Sequence, residues 1–362
     1  MSIAKKLTAF FNHTQIMLWA IILSSIYLGS VLYWQSENNR TIDPDYTIQT
    51  LETKEQRNSS LVKTGLYINS FPVFSFCKNA FTLDGILWFR FPIGTESLET
   101  ISNFNIQNAS ILSGNSLTFK SDPIIKLIGH EVLISYHIQA SIKTALNYKN
   151  FPVSQYRLNM VISNKNVSAR ELYFISDDTS LALNDQLLLY SWKPHSINVK
   201  TGYTQATLTT SKPQQQIDYP VAVFSIVFDN IGYRDLISLY FPMFVLFLIA
   251  LFCLLIDIQE TARLGYVAAT VPILVLFRMV IDASSPDVGN LTHVDFMYNV
   301  FVFLSLAILF FQTYVILRLQ SLKSASEIGK EQQIQKLATL NNIVFFLVLL
   351  ALIIGTTATF FR

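Results

Sequence analysis

Few residues in this 362-residue chain combine the types and spacing that catalysis or metal binding requires. The five histidines are scattered, and the sequence contains no phosphate-binding loop, nucleophile elbow or His-Glu-x-x-His motif. Asp177 and Asp178 are candidates for acid/base carboxylates or cation ligands, but a turn flanked by Ser and Thr favours a solvated loop. Cys77 and Cys253 are too few for a disulfide scaffold or a four-cysteine zinc site. We therefore predict no enzyme, no metal site and no cofactor.

The composition of the chain is that of a membrane protein. Hydrophobic residues make up 51% of the sequence and charged residues only 14%, whereas soluble domains carry roughly 25% charged residues. The mean hydropathy is +0.39. The formal net charge of +2 is too small for a surface that binds nucleic acid. These values exclude a disordered chain, a coiled coil and a nucleic-acid-binding protein.

Five apolar stretches approach the roughly 20 residues that a helix needs to cross a lipid bilayer. They are residues 16–33, 236–256, 264–281, 296–317 and 340–361. The last four lie in the final third of the chain and are separated from the first by a long polar region.

The distribution of basic residues predicts the orientation in the membrane. A pair of lysines before the first stretch places the N-terminus in the cytoplasm, and the basic loops 257–263 and 318–340 also fall inside. The loop 283–295 has no Lys or Arg and falls outside. We predict a multi-pass protein of the cell (inner) membrane, with residues 36–235 forming a large extracellular or periplasmic region.

The first apolar stretch has two interpretations. A basic start followed by an apolar segment is typical of a secretory signal peptide, but this segment is long for a signal and lacks a clean small-x-small cleavage site. Residues 1–35 are therefore either a cleaved signal peptide or a retained N-terminal membrane anchor. Residues 36–61 are polar, and we expect them to form a linker or a short helix.

The exported region has the pattern of an all-β domain. Short runs rich in aromatic and branched residues alternate with turn-forming clusters, at residues 64–76, 81–91, 131–144, 157–163, 171–175, 203–210 and 221–228. Regular short strands without a helical period predict a β-sandwich over residues 62–235. Cys77 lies in this domain and Cys253 in a membrane helix, so we expect no intramolecular disulfide.

The stretch 262–282 differs from the other apolar stretches because it contains Gly, Pro, Thr and Arg, which a lipid-facing helix would not favour. Arg278 lies near its outer end, where it can snorkel or pair. Five residues recur at spacings of 4, 3, 4 and 3 and share one helix face: Gly265, Ala269, Pro272, Leu276 and Met279. The periodicity fits a helix that lines a cavity, and it equally fits a buried helix of a non-channel bundle.

Four stretches, in order along the chain, resemble the pentameric ligand-gated ion channels, the Cys-loop receptor superfamily, in its bacterial, disulfide-free form. The first stretch, 64–91, contains Phe81-Thr82 and Leu87-Trp88-Phe89-Arg90, which are similar to the family's first two strands. The second is Asn150-Phe151-Pro152-Val153-Ser154-Gln155-Tyr156-Arg157-Leu158, similar to the loop that names the superfamily. The third is Tyr240-Phe241-Pro242, at the start of the first channel helix. The fourth runs from Ala262-Arg263 to Pro286 and from Asp295 to Leu317, and resembles the pore helix, its Pro-bearing loop and the third helix.

The resemblance covers about residues 62–318, and the last helix fits by position. It implies a homo-pentamer in the lipid bilayer, with an axial pore lined by residues 262–282. Each exported β-sandwich would sit above a transmembrane four-helix bundle, residues 236–362, with helices at 236–256, 262–282, 296–317 and 340–361. A small-molecule or ion ligand would bind between neighbouring sandwiches and bias the two states of the pore.

The resemblance also implies roles for particular residues near the pore. Leu276 and Met279 would form apolar constrictions, which close a pore by dewetting. The candidates for the two pore mouths are Glu260, Ala262, Arg263 and Asp282. Ala262-Arg263 followed by Gly265 resembles anion-selective members, whereas rings of carboxylates favour cations, so both selectivities remain open.

Two further groups of residues follow from the same resemblance. Residues in loops that would meet at the membrane surface and couple the domains are Cys77, Lys78, Phe151, Pro152, Ser154 and Pro286. The candidates for an aromatic box that would suit a cationic amine are Phe104, Tyr173, Phe174 and Tyr219.

The sequence also departs from the family pattern. Val153 and Ser154 replace the aromatic and Asp residues that the family's loop usually carries, so coupling between the domains is expected to differ. The pore face is fully apolar, which also fits a non-conducting membrane receptor or sensor on the same scaffold. An exported, membrane-anchored enzyme is the third alternative.

Overall fold

The computed structural model describes residues 3–38, 46–50, 59–109, 111–112, 115–116, 119–144, 146–152, 154–189, 191–207, 216–230, 233–286, 289–323 and 327–358. Most of the predicted linker 36–61, namely residues 39–45 and 51–58, therefore lies outside the described residues, as does Val153. The described chain divides into two compact units. One contains the long helices together with residues 148–154, and the other contains the strands and a short helix at Leu98–Ser102.

The described strands are β1 (Ser60–Ser75), β2 (Ala80–Pro92), β3 (Asn105–Ile106), β4 (Ile111–Leu112), β5 (Asn115–Ser116), β6 (Phe119–Lys120), β7 (Ile124–Ile128), β8 (Glu131–Ile142), β9 (Tyr156–Ser163), β10 (Leu172–Ile175), β11 (Leu181–Leu183), β12 (Trp192–Thr207) and β13 (Gln216–Asn230). One sheet has the order β10-β1-β2-β8-β6, with β11 beside β1 and β7 beside β8. A second sheet has the order β12-β13-β9-β3, and β4 pairs with β5.

The first hairpin forms as its sequence predicts. β1 and β2 pair antiparallel from Lys63 opposite Arg90 to Ser75 opposite Ala80, and residues 76–79 make the turn. Along β2, buried and less buried side chains alternate, because successive residues of a strand point to opposite faces. Aromatic residues of the two sheets meet, with the rings of Phe74 and Phe228 5.0 Å apart.

Residues 46–50 cover part of the second sheet. The backbone N–H of Gln49 donates to the carbonyl of Tyr203 over 3.1 Å, and Tyr203 N–H donates back over 2.8 Å. Gly202 permits this approach, because a Cβ at that position would lie 2.3 Å from the Gln49 carbonyl oxygen. Tyr46 and Ile48 pack on a buried cluster that includes Tyr219, so this part of the expected linker is an ordered cover of the sheet.

The described helices are α1 (Ile3–Asn38), α2 (Leu98–Ser102), α3 (Tyr233–Phe252), α4 (Ala262–Ser284), α5 (His293–Lys323) and α6 (Glu327–Ala358). Among the described residues, three spans are long and apolar enough to cross a membrane: Ala262–Ser284, His293–Leu322 and Lys330–Ala358. Shorter apolar helical segments occupy Gln15–Val31 and Leu236–Phe252. The protein therefore combines β-sheets with three long apolar helices, which are compatible with a membrane protein.

The helix ends differ from the ends of the apolar stretches. α5 begins three residues before the predicted stretch, because Thr292 and Asp295 exchange hydrogen bonds as a capping box: Thr292 N–H donates to Asp295 Oδ2 over 2.8 Å, and Asp295 N–H donates to Thr292 Oγ1 over 3.3 Å. α6 begins at Glu327, well before the apolar run, because a helix can continue beyond the apolar residues that signal it. α3 ends at Phe252 rather than at residue 256, and residues 253–255 form a turn.

The N-terminal helix packs on the long C-terminal helix. α1 and α6 lie in contact within the helical unit. The residues of α1 that are buried recur with helical spacing and form one stripe: Met17, Ile21, Ser24, Leu28 and Val31. The opposite side exposes large apolar residues such as Trp19 and Leu23.

Candidate functional site

The two sides of α4 have different surroundings. Val267, Thr270, Leu274 and Ile281 are buried against the rest of the chain. The face that sequence spacing defined lies on the other side, and all five of its members are exposed: Gly265, Ala269, Pro272, Leu276 and Met279. The exposed fractions of Leu276 and Met279 are 63% and 70%. This helix therefore presents a continuous apolar face that its own chain does not cover.

Three of the four residues expected at the ends of this face are exposed, and one is buried. Glu260, Ala262 and Asp282 are exposed. Arg263, expected with them at the inner mouth, points inward instead and is 1% exposed. Its Nε donates to the carbonyl of Cys253 over 2.8 Å, and its Nη2 donates to Asn341 Oδ1 over 2.5 Å. Arg263 thus joins the ends of α3 and α4 to α6 and does not belong to the exposed face.

Arg278 pairs with carboxylates near the C-terminal end of the same helix. Its Nη1 lies 2.5 Å from Asp295 Oδ1, and its Nη2 lies 2.8 Å from Asp282 Oδ1. Asp295 is 8% exposed at its side chain, and its second oxygen accepts hydrogen bonds from the backbone and hydroxyl of Thr292. The pairing predicted for Arg278 is therefore present, and it ties α4 to the start of α5.

The expected coupling residues belong to different units. Residues 148–154, which include Phe151, Pro152 and Ser154, group with the helices, and His293 N–H donates to the carbonyl of Lys149 over 2.9 Å. His293 Nδ1 in turn shares a 2.5 Å hydrogen bond with the hydroxyl of Tyr240. Both residues are buried, and His293 thus links the loop to the start of α5 and α5 to Tyr240 of α3.

The other expected coupling residues lie in turns. Cys77 is exposed in the turn between β1 and β2, and Lys78 N–H in the same turn donates to Ser75 Oγ over 3.3 Å. Cys253 is buried. Pro286 is buried two residues after α4 ends.

The four candidate aromatic residues do not converge on one box. Phe104 and Phe174 pack around Phe89, with ring centroids 5.4 and 6.0 Å from it. Tyr173 packs instead with Ala169 and Tyr203, because adjacent residues of a strand point to opposite faces. Tyr219 lies in a third place, under Tyr46 and Ile48.

A cation already lies over one of these aromatic groups. Lys120 Nζ is 4.2 Å from the Phe104 ring centroid and 4.7 Å from that of Tyr136, within the range of a cation–π contact. Its ammonium also donates to the carbonyl of Ser102. Burial lowers the pKa of Lys120 and raises the pKa of Tyr136. No sequence pattern indicated that a lysine of β6, the strand beside β8, would occupy this place.

The paired aspartates serve as structural acceptors in a turn. Asp177 Oδ1 accepts from the hydroxyls of Thr179 and Ser180, and Lys63 lies 3.4 Å from Oδ2. These hydroxyl donors, with the nearby ammonium, lower the pKa of Asp177 from 3.8 to about 2. Asp178 accepts from the backbone of Val199 over 2.8 Å. A carboxyl that stays ionised in this way is a poor proton donor at neutral pH.

No family model matches the chain, and no curated protein matches its sequence. Among the residues that the structure describes, no group of three or more His, Cys, Asp or Glu side chains is placed to hold a metal ion. The proposed function is therefore based on the geometry of the helices.

Proposed function

We propose that this chain is one subunit of a pentameric ligand-gated ion channel in the cell (inner) membrane. The observation that carries the proposal is the exposed apolar face of α4, which includes Leu276 and Met279. Five copies arranged by rotation would bring these faces to a common axis and so form a closed ring. The buried opposite side, which includes Leu274, would attach each pore helix to its own subunit.

The architecture proposed around this pore has two parts. The two sheets would form an exported β-sandwich, supported by the contact between Phe74 and Phe228. α3, α4, α5 and α6 would form a transmembrane four-helix bundle, supported by the packing of α4 on α3 and α5, and of α5 on α6. The N-terminal helix would be an additional membrane anchor, supported by its buried stripe against α6.

Ligand binding would occur between neighbouring exported domains and would change the population of open pores. The loop 148–154 is the proposed site of coupling. Its hydrogen bond from His293 to Lys149 supports this role, because a displacement of the loop would act directly on the start of α5. The proposed ligand is a small molecule or an ion.

Native mass measurement and single-channel recording test the proposal together. We expect the detergent-solubilised protein to have five times the chain mass of 41.2 kDa. In planar bilayers, we expect unitary currents under some condition in a panel of pH values and amines. Leu276→Ser should increase these currents, because a hydroxyl ring opposes dewetting of an apolar constriction.

The matched control for this experiment is Phe310→Ser. Phe310 is 71% exposed, close to the 63% of Leu276, but lies on α5 and away from the proposed axis. Phe310→Ser should leave conductance unchanged. A monomer or dimer by mass would overturn the proposal, and so would equal effects of the two substitutions on conductance.

A second function is favoured by one specific observation. The five residues that helical spacing groups on the exposed face of α4 carry no polar side chain, and a fully apolar ring can stay dry in every state. A non-conducting receptor or sensor on the same scaffold would fit this face. Correct pentamers that carry no current as wild type, as Leu276→Ser or as Met279→Ser would support this function over the channel.

A further inference from the structure

A cavity lies where the N-terminal helix α1, the segment between α3 and α4, and α6 meet. Its volume is about 270 Å³, and all of its lining residues belong to the compact unit that contains the long helices. Met17 of α1 lines one side, and residues 254–259 line a second. Four residues of α6 line the third: Ile334, Ala338, Asn341 and Asn342. The cavity is thus bounded by three separate parts of the chain.

The lining combines buried apolar residues with exposed polar ones. Met17, Leu254 and Ile258 are buried, whereas Asp257 and Gln259 are exposed. The cavity therefore has an apolar interior and reaches the surface at a polar edge. Sites for small ligands have this composition, because apolar walls bury the ligand and a few polar groups orient it. An occupant that fits needs an apolar part and a polar end.

Each of the three parts of the chain changes from polar to apolar sequence beside the cavity. The apolar stretch of α1 begins at residue 16, directly before Met17. The stretch that includes α3 ends at residue 256, directly before Asp257, and that of α6 begins at residue 340, directly before Asn341. The ends of apolar segments mark the boundary between the hydrocarbon core of a bilayer and its head groups. The cavity therefore lies at the level where a lipid has its head group and its first chain carbons.

Asp257 provides the negative charge at the polar edge. Its Oδ1 accepts a hydrogen bond from the backbone N–H of Gln259 over 2.9 Å. Among the described residues, no lysine, arginine or histidine side chain forms an ion pair with it. Arg263 attracts this carboxylate from beyond ion-pair distance, because its guanidinium donates to Cys253 and Asn341 instead. A cation beside Asp257 would therefore gain a charge-assisted hydrogen bond that the described residues do not supply.

The charge and the size of the cavity select among membrane lipids. A lipid with a net negative head group would be repelled by Asp257. A primary ammonium carries a positive charge and three N–H donors, whereas a trimethylammonium carries the same charge and no donor. The volume of about 270 Å³ is slightly below the roughly 300–1,000 Å³ of a typical small-molecule site. The cavity therefore has room for part of one acyl chain, and the rest of the lipid stays in the bilayer.

We propose that this cavity binds a membrane phospholipid whose head group ends in a primary ammonium. One acyl chain occupies the apolar interior beside Leu254 and Ala338, and the ammonium donates a hydrogen bond to Asp257. Because Met17 lines the cavity, the bound lipid also contacts the N-terminal helix. The site rests on the proposed function only in that the apolar helices lie in a membrane. It requires neither five subunits nor a conducting pore.

Thermal unfolding of the full-length protein in detergent tests the site. Delipidated protein is titrated with phosphatidylethanolamine, phosphatidylcholine or phosphatidylglycerol that carry identical acyl chains. We expect phosphatidylethanolamine to raise the midpoint in a saturable way, because a ligand that binds the folded state stabilises it. Its apparent affinity should exceed that of phosphatidylcholine by about fivefold or more, because only the primary ammonium can donate to Asp257. Equal affinities for these two lipids, or tighter binding of phosphatidylglycerol, would overturn the proposal.

Two pairs of variants locate the effect. Asp257→Asn should reduce the affinity for phosphatidylethanolamine to that for phosphatidylcholine. Its control is Glu331→Gln, which changes an exposed carboxylate of α6 outside the cavity and should keep the preference. Ala338→Phe should weaken the binding of both lipids because it fills the apolar interior, whereas Thr339→Phe, at the next and exposed position, should not. A preference that survives Asp257→Asn, or two variants of one pair that behave alike, would contradict the proposal.

Measurements on the wild-type protein cover the case in which Ala338→Phe fails to fold. Glycerophosphoethanolamine has the same head group without acyl chains, and it should not raise the midpoint at concentrations at which the full lipid does. Native mass measurement of the same samples records the number of subunits and the number of bound lipids separately, so a failure of the lipid site is distinguished from a failure of the pentamer. Phosphatidylethanolamine that is retained no better than phosphatidylcholine would overturn the proposal, and so would equal stabilisation by the chain-free head group.

Discussion

The two arginines of α4 lie near opposite ends of one helix and meet different partners. Arg278, near the C-terminal end, contacts the carboxylates of Asp282 and Asp295. Arg263, at the N-terminal end, contacts a backbone carbonyl and the amide of Asn341. Both are charged residues in an apolar helix, yet Arg278 completes an ion-pair network, whereas Arg263 Nη1 has no hydrogen-bond partner among the described residues. The difference indicates that the role of each arginine depends on the groups that its side chain contacts and not on its position in the sequence.

The Arg278 network combines two kinds of interaction in one residue. Asp295 pairs with Arg278 through one oxygen and closes the capping box of α5 with the other. Removing it would leave Arg278, which is 37% exposed at its side chain, paired with Asp282 alone and would also remove the helix cap. The Arg263 arrangement has no such residue, because its described acceptors are neutral and come from the turn after α3 and from α6. The comparison therefore predicts unequal sensitivity to substitution at the two ends.

The largest effect is expected for Asp295→Ala. Loss of the charge-assisted hydrogen bond to Arg278, which is 37% exposed, costs about 1.5–3 kcal/mol, and loss of the capping box adds about 0.5–2 kcal/mol. Chemical unfolding of the detergent-solubilised protein would measure the decrease in the free energy of unfolding. Asp282→Ala is the matched control, because Asp282 is 57% exposed at its side chain and should contribute below about 1 kcal/mol. Similar losses for both variants would contradict the comparison.

A smaller effect is expected for Asn341→Leu, which removes the partner of Arg263. The substitution leaves Arg263 Nη2 and the carbonyl of Leu254 without partners, so we expect a loss of about 2–3 kcal/mol in the free energy of unfolding. Thr339→Ala, an exposed position on the same helix, should change it by less than about 0.5 kcal/mol. If Asn341→Leu is as mild as Thr339→Ala, Arg263 is not held by Asn341.

The smallest effect concerns Asp177, a carboxylate of the compact unit that contains the strands. Hydrogen bonds from Thr179 and Ser180 lower the pKa of Asp177 from 3.8 to about 2. A lowered folded-state pKa stabilises the protein above pH 3.8, and this contribution is lost as the pH falls toward 2. The stability difference between wild type and Asp177→Asn should therefore shrink between about pH 4 and pH 2. Thr179→Val should shift this loss to higher pH, and an unchanged profile in that variant would contradict the assignment.

Local patterns predicted many of the strands and helices. The alternation of side chains in residues 64–76 and 81–91 predicted β1 and β2 to within a few residues, because this period depends on neighbours in sequence. β12 was predicted only from residue 203, although it begins at Trp192. It is an edge strand with a register shift near Pro194, and such a strand tolerates a proline that breaks the local pattern.

The candidate site was predictable in part. Helical spacing correctly grouped Gly265, Ala269, Pro272, Leu276 and Met279 on one face of α4, because a helix has a fixed period. The family resemblance, and not the spacing, suggested Arg263 for a pore mouth, and its side chain is buried. An asparagine in an apolar helix was the available signal, since polar residues there usually have a partner inside the protein. Asn341 provides that partner.

The sequence by itself determined where the apolar helices and most strands lie, because hydrophobic period and capping residues act over a few positions. Only the tertiary structure decided what the charged and aromatic side chains contact. Cys253 and Asn341 lie 10 and 78 residues from Arg263 along the chain, and Lys120 reaches Phe104 from another strand. Such contacts depend on how whole elements pack, and no local spacing contains that information.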